Sequence, residues 1–477
     1  MPPRAQQIAL NEVEARLRAS PDAPDLLFDR AALLDALGRD EARDAYLAVL
    51  AQAPDHFGAL SNLGALLLKT GYRSAARTVY AEAVRAHPTQ AAAHINLANL
   101  LAAAEAPDLA RLHFQTALAL APESPEAHQG LAHLYASLGD EDAARPHRLA
   151  GFRDRAVMVR PYRGEGEAVR LLVLDSIQGG TVPISHHLDD RVFETSVLHV
   201  EVFPPDRPLP AHDRIFNAIG DADLCGPALA AAAHLLSRAK ARSPINPPAR
   251  VSQTGRVQNA ERFSHVTGVV TPRMSILPRA RLETPDAVGD LAEQGFSFPL
   301  LLRAPGFHAG QFFRRIERPQ DLTQTVAELP GDALMAIEFL DARAADGKIR
   351  KYRAMMIGGR LYPLHAAVSH DWKIHYFSAE MADHPEHRAE DLAFLVDMAA
   401  VLGPRAMGAL AAIRDTLGLD YAGADFSLTP QGEMILFEAN ATMVVNPPDP
   451  DPRWDYRRPH VQVVLDAIQG LLRGEAS

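Results

Sequence analysis

The stretch that decides the fold of the larger part of the chain is GLDYAGADFSLTPQGEMILFEANATMVV, residues 418–445. It reads as a strand over 422–428, a turn over 429–432 and a second strand over 434–437. Asp425, Glu438 and Asn440 interrupt strands that are otherwise apolar. Residues two apart on a strand share a face, so Glu438 and Asn440 point the same way, and a hairpin brings Asp425 opposite them. Asp, Glu and Asn oxygens are hard ligands suited to Mg²⁺, which takes few protein ligands and completes its shell with phosphate and water. Alone, any one of the three reads as a strand-edge residue facing water. Together, and flanked by Phe426, Phe437 and Met443, the buried carboxylates need a partner or a metal.

Working back from this hairpin, strands and helices alternate as far as Arg170. VRLLVLDSIQGG, beginning at Val169, carries an unbroken apolar run over 171–174, then Asp175 and a glycine pair: a buried parallel strand entering a loop. HDRIFNAIGDAD, residues 212–223, repeats that form, and a helix is expected over 227–241. The alternation indicates α/β or α+β architecture. PYRGEGE, residues 161–167, is a short polar linker.

The grammar before that linker is different. The first 150 residues are rich in alanine and leucine, which predicts helix. Pro54, Pro88 and Pro122 are spaced 34 apart. A unit over 57–90 has Leu63-Gly64, Gly71, Ala76, Tyr80, Ala83 and Pro88. One period on come Leu97-Ala98, Ala110, Phe114, Ala117 and Pro122; a further period gives Leu131-Ala132, Tyr135, Gly139 and Ala144. Backwards, Ala42, Tyr46 and Pro54 fit. The pattern resembles the tetratricopeptide repeat. Small residues at Gly64, Ala98 and Ala132 let one helix of a pair approach the other, while Tyr80 and Phe114 fill the space left between helices. Proline ends the second helix because it cannot continue the hydrogen-bond ladder. Such repeats stack into a solenoid whose concave face often holds a peptide or a partner helix; a spacer or a dimer surface is the equal alternative.

Composition sets outer limits. The 477 residues carry a net charge of −11, with 47% hydrophobic and 22% charged residues, an ordinary globular composition. The negative balance argues against a nucleic-acid coat or a binder of anionic membranes. Cys225 is the only cysteine, so neither an intramolecular disulfide nor a multi-cysteine zinc site can form. The N-terminus lacks an apolar signal core, and the apolar stretch over 224–237 is too short to span a bilayer, so a cytoplasmic protein is expected. Only five residues are lysine, and Lys348, Lys351 and Lys373 are three of them; a solvated face is their default reading and a phosphate-rich cleft the alternative.

The D…E-x-N hairpin resembles the metal-binding end of the ATP-grasp superfamily, whose members include glutathione synthetase and the ribosomal-protein glutamate ligases. Other segments follow in the superfamily's order. Residues 245–274 are similar to the entry into the nucleotide-binding part, with Arg256 at its basic position. FSFPLLLRAPGFHAGQFF, residues 296–313, is similar to a strand carrying a phosphate-binding lysine, here Arg303, followed by a loop with Gly306, His308 and Gly310. Glycine lets backbone N–H groups approach phosphate oxygens, and His308 could reach them too. ALMAIEFLD, residues 333–341, looks like the hinge that meets adenine, with Glu338 or Asp341 near amino or ribose groups. Residues 350–369 resemble the strand pair whose arginine steadies the reacting phosphate, and Arg353 fits that position. Arginine in place of both usual lysines keeps the charge but presents a planar fork. His365 stands where a second arginine is common. His365, His370 and His375 read individually as ordinary histidines, and no role is assigned to them or to Lys373.

The resemblance implies ATP and Mg²⁺ as cofactors. It implies Asp425, Glu438 and Asn440 as metal ligands, Arg256 and Arg303 on the phosphates and Arg353 at the transferring group. The expected fold is multidomain: an all-α repeat solenoid over 1–155, a parallel-sheet α/β domain over 168–250, a small ATP-grasp lobe over 251–335 and a large lobe with the metal site over 336–477. The expected activity is an ATP-dependent carboxylate ligase working through an acyl phosphate and joining a carboxylate to an amine, or to a thiol or hydroxyl, on a peptide or protein bound partly by the repeat groove, with ribosomal peptide tailoring as one version, a small-molecule co-substrate and a possible homo-oligomer. One alternative is a ligase for free amino acids with the repeats used for assembly; another is a non-catalytic nucleotide-binding scaffold.

Overall fold

The computed structural model describes residues 3–475 except 104–105, 308–309, 375 and 377–378, and for 3–4 and 185–186 the backbone alone. The chain divides into two units, Met1–Arg153 and Asp154–Ser477.

The first unit is a tetratricopeptide-like helical repeat. Its helices are α1 (Pro3–Leu17), α2 (Pro24–Ala36), α3 (Ala42–Gln52), α4 (Phe57–Lys69), α5 (Arg73–Ala86), α6 (Ala91–Ala103), α7 (Pro107–Leu120), α8 (Pro125–Ser137) and α9 (Glu141–Phe152). They pack as consecutive pairs, α2 with α3, α4 with α5, α6 with α7 and α8 with α9. Pro54, Pro88 and Pro122 each stand just past the ends of α3, α5 and α7, where the ladder must stop. The packing logic of the period is visible at Gly64: a Cβ there would land inside the ring of buried Tyr80. Gly130 stands in the same relation to Phe114. Ala76, Ala98 and Ala110 are fully buried, so the small positions are where helices meet.

The second unit is built on three sheets. In the first, β1 (Val157–Arg160), β2 (Val169–Asp175), β3 (Phe193–His199) and β4 (Arg214–Asn217) lie in the order β1-β3-β2-β4. Strand β2 runs parallel to β3 and β4, and its apolar run Leu171, Leu172, Val173 and Leu174 is covered on both faces. Helix α10 (Gly226–Arg238) follows. Strand β1 lies just before the 161–167 linker, in a stretch to which the sequence assigned no element. It pairs antiparallel with β3 at the sheet edge, with Met158 and Val159 exposed, so it carries no alternating pattern to find.

Next come α11 (Pro248–Val251), α12 (Arg256–Phe263), β5 (Val269–Val270), β6 (Met274–Pro278), α13 (Arg279–Leu282), α14 (Ala287–Glu293), β7 (Leu300–Arg303), β8 (Phe313–Ile316), α15 (Leu322–Glu328) and β9 (Ala333–Glu338). Strands β6, β9, β7 and β8 form an antiparallel sheet in that order. The last part holds β10 (Ile349–Ile357), β11 (Arg360–Ser369), α16 (Pro385–Val396), α17 (Met398–Leu417), β12 (Tyr421–Leu428), β13 (Met434–Asn440) and α18 (Arg458–Arg473). Its sheet has the order β11-β10-β12-β13-β5. Two details cut across the boundary expected between 335 and 336. Strand β5 leaves its neighbours to pair in parallel with β13, and β9 runs through residue 335 without a break. Residues 154–477 form one compact unit.

No single described helix is long and apolar enough to cross a membrane. Helices α16 and α17 pass a length-and-composition test only as a pair bent by 64°, and Phe394, Leu402, Leu410 and Ile413 on them are core residues.

Candidate functional site

The β12–β13 hairpin forms as its sequence implies, and its register decides the site. Asp425 lies directly opposite Glu438, and a bulge follows between Asp425 and Phe426. On the other side of β12, Arg353 of β10 lies directly opposite Asp425. Cross-strand neighbours share a face, so the three side chains meet. Arg353 donates two hydrogen bonds to Asp425, Nε to Oδ1 at 2.6 Å and Nη2 to Oδ2 at 2.8 Å. Lys351, two residues earlier on the same face of β10, places Nζ 2.6 Å from Oδ2. Asp425 is only 1% exposed. Burial alone would raise its pKa; the charges of Arg353 and Lys351 outweigh that and hold the carboxyl well below the usual carboxylate range.

Glu438 is gripped from another element. Arg256 opens α12 and donates from Nη2 to Glu438 Oε1 at 2.5 Å. The same guanidinium is 3.1 Å from Asp223 and 3.9 Å from Asp221, which lie in the loop before α10. Burial would lower the Arg256 pKa, but Glu438, Asp221 and Asp223 raise it. Arg256 likewise keeps Glu438 below its ordinary value against its burial. Asn440 donates from Nδ2 to Glu438 Oε1 at 2.8 Å, while its Oδ1 accepts from Thr442 N at 2.9 Å and Thr442 Oγ1 at 2.8 Å. Among the described residues nothing bonds Glu438 Oε2.

These groups line a cleft of about 1050 Å³. Arg256, Arg303, Glu338, Lys351, Arg353, His365, Lys373, Asp425 and Glu438 all reach it. Arg303 ends β7, bonds the Phe307 carbonyl and lies 5.9 Å from the Phe313 ring centre. Its pKa is pushed down by burial and by the neighbouring Arg256 charge. Arg256 is already paired with Glu438, Asp223 and Asp221, whereas among the described residues Arg303 bonds only the Phe307 carbonyl, so Arg303 is the guanidinium with charge to offer an anion in the cleft.

The remaining expected positions divide. Glu338 ends β9, accepts from Arg273 N at 3.0 Å and lines the cleft. Asp341 does not: its carboxylate is half exposed and held by Arg343 at 3.1 Å. Gly310 lines the cleft and Gly306 does not, although both have positive φ, +73° and +83°, as a tight glycine loop requires. His308 and His375 lie outside the described residues. Asn440 borders a small pocket beside Glu438 instead of the main cleft, and its oxygen is already engaged.

Sequence reasoning missed the role of Lys351 and the acidic pair Asp221 and Asp223. The first was signalled by its spacing of two from Arg353. The second is a contact between distant segments and left no local signal. His365, unassigned from sequence, lies opposite Arg353, packs at a tilt against Tyr376 with ring centres 4.6 Å apart and lines the cleft. Burial together with Arg353 and Arg457 holds it well below the usual histidine range, so it is neutral.

Known proteins add to one end of the chain. No protein-family model and no curated protein matches it. Solved structures match over the repeats. MamA from Desulfovibrio magneticus RS-1 is 27% identical, covering 31% of this chain and 84% of its own, with a TM-score of 0.29. TTC0263, a thermophilic tetratricopeptide repeat protein of Thermus thermophilus, is 26% identical over 31% and 83% of the two chains, with a TM-score of 0.28. A tetratricopeptide repeat protein from Parabacteroides merdae is 20% identical over 31% and 60%, with a TM-score of 0.29. At such scores the assignment of the repeats rests on the 34-residue period and the helix pairs themselves. The class defined by fold is a helical repeat followed by a mixed α/β unit.

Proposed function

We propose that residues 154–477 are an ATP-dependent carboxylate ligase of the ATP-grasp type, acting through an acyl phosphate on a peptide or protein substrate held in part by the repeats. The observation that carries this reading is the meeting of two opposed carboxylates, Asp425 buried and Glu438 half-buried, with Arg256, Arg303, Lys351 and Arg353 on one cleft wall. A phosphate chain with a divalent cation is the ligand class that uses both signs at once.

Asp425 and Glu438 set hard oxygens in register, and among the described residues the bonds to Glu438 all fall on Oε1. Both Asp425 oxygens are held by Arg353 and Lys351 and the Asn440 oxygen by Thr442, so Mg²⁺ would enter at Glu438 Oε2 and would need the Asp425 pairs to open. Asp425 and Glu438, with Asn440 beside them, are the residues that would hold the ion, which when bound neutralises phosphate charge. The chain's own groups do the rest. Arg303 grips phosphate oxygens with its guanidinium, and Arg256 does so alongside its carboxylate partners. Arg353, anchored bidentately on Asp425, holds a fixed direction for the transferring group. The substrate carboxylate oxygen bonds to the γ-phosphorus as the bond to ADP breaks. The nucleophile, an amine in the first instance, then bonds to the acyl carbon, phosphate leaves with the carbon–oxygen electron pair, and the nitrogen gives up its proton. Gly310, on the cleft wall, leaves room for the backbone to approach the nucleotide.

The test is capture of the acyl phosphate by hydroxylamine, with candidate peptides and free acids supplied in turn. The proposal expects a hydroxamate that requires ATP and disappears in Glu438→Gln. A hydroxamate formed only from free amino acids would favour the small-substrate ligase, with the repeats serving assembly. ATP binding with no ADP released under any acid would favour the scaffold.

A further inference from the structure

A second cluster of ligating groups lies apart from the charge pairs of the cleft, at the start of α16. The sequence there is DHPEH, residues 383–387. His384 caps the helix, Pro385 opens it, and Glu386 and His387 sit in its first turn. One ligand atom from each of His384, Glu386 and His387 can be chosen so that all lie within 4.8 Å of one another. His384 Nδ1 is 2.8 Å from Glu386 Oε1, and the two imidazoles stack at 4.6 Å.

The buried member is oriented as a ligand. His387 is 0% exposed, and its Nδ1 lies 3.1 Å from the Glu380 carbonyl oxygen. A carbonyl can only accept, so the proton is on Nδ1 and the lone pair is on Nε2. This backbone-anchored imidazole is the arrangement that fixes the tautomer of metal-bound histidines. What meets the lone pair is already a cation: Lys348 Nζ stands 3.0 Å from Nε2. The side chains of His384 and Glu386 are 41% and 58% exposed, so both are free to turn.

We propose that His384, Glu386 and His387 form a binding site for a borderline divalent cation of the Zn²⁺ class, which displaces the Lys348 ammonium from His387 Nε2. Two imidazoles and a carboxylate suit such an ion, and water completes four-coordination. Ligands at about 2.0–2.1 Å in a tetrahedron lie roughly 3.3 Å apart. The two exposed side chains would turn to bring the present spacing to that value. The ion's purpose follows from what His387 holds. Glu380 lines the cleft, and its carboxylate is 3.0 Å from His370 Nδ1. The segment between β11 and α16 also gives Asp371, Trp372 and Lys373 to the cleft wall. A cation at His387 therefore pins one wall of the cleft from behind. This site is independent of the nucleotide reading.

The experiment is Zn²⁺ titration of the full chain by calorimetry in excess Mg²⁺ without nucleotide, with Co²⁺ absorption as the coordination readout. Wild type is compared with His384→Gln, Glu386→Gln and Lys348→Met. Other histidines are common to all four proteins and cancel in the differences. The expected result is one site that weakens by about tenfold or more in each ligand variant. The same site tightens by about tenfold in Lys348→Met, which removes the competing charge. Zn²⁺ binding that is unchanged in His384→Gln and in Lys348→Met, or no Zn²⁺ binding by wild type, overturns the proposal.

Discussion

At the scale of single residues the site is an arrangement of compensated charge. Asp425 accepts from Arg353 through both oxygens and from Lys351 through one. Removing its charge leaves two buried cations uncompensated, so Asp425→Asn should lower unfolding free energy by about 3–5 kcal/mol, read as a lower denaturant midpoint. The sign of the pH effect follows. Its folded pKa lies below the unfolded one, so its stabilisation is complete above about pH 4 and is lost as pH falls further. Acid titration of wild type should show this loss below about pH 4, and Asp425→Asn should lack it. A denaturant midpoint within error of wild type would remove the pair from the account. The carboxylates were legible from sequence because period-two spacing fixes a face. Lys351 was equally legible by that rule, but a lysine's ordinary place is in solvent. The engagement of the Asn440 oxygen by Thr442 depends on how the chain turns after β13, and no spacing rule reports that.

At the scale of elements, the repeats owe their spacing to contacts between small and aromatic residues. Gly64→Ala places a methyl group inside the Tyr80 ring, and overpacking of this kind costs about 1–3 kcal/mol. The variant should melt earlier; Gly71→Ala, with open space around it but positive φ, should be affected only through backbone strain. The last two helix pairs also carry paired imidazoles. His94 Nε2 donates to the Pro88 carbonyl, leaving Nδ1 to accept from His113 Nδ1 at 3.0 Å; His128 and His147 repeat this at 2.8 Å, one period on. Burial and the facing imidazole lower the pKa of His113 and His147. Folded values below the unfolded one mean full stability above about pH 6.5, lost as pH falls through that value. Melting temperature should therefore drop between about pH 7 and 5, and the double variant His113→Gln/His147→Gln should flatten that dependence; an unchanged slope would contradict it. The helical period was readable because prolines and small residues repeat in register. Strand β1 was not, being a short edge segment whose pairing partner lies far along the chain.

At the scale of the whole molecule, the cleft draws its wall from all three sheets of the second unit, which is why it belongs to no single stretch of sequence. Gly180 and Thr181 come from the loop after β2, Arg303 and Glu338 from the sheet β6-β9-β7-β8, and Arg353 and Asp425 from the third sheet. The order of motifs indicated which segments would supply charge; only the fold brings Asp221 and Asp223 onto Arg256. The central claim is that this cleft binds MgATP through Glu438 and its neighbours. The most direct measurement is thermal stability of wild type and Glu438→Gln, each with and without MgATP. A ligand at 100 times its dissociation constant stabilises the folded state by about 2.7 kcal/mol. The account predicts a Mg²⁺-dependent upward shift in wild type that shrinks in Glu438→Gln. No shift in either protein at saturating MgATP would contradict it.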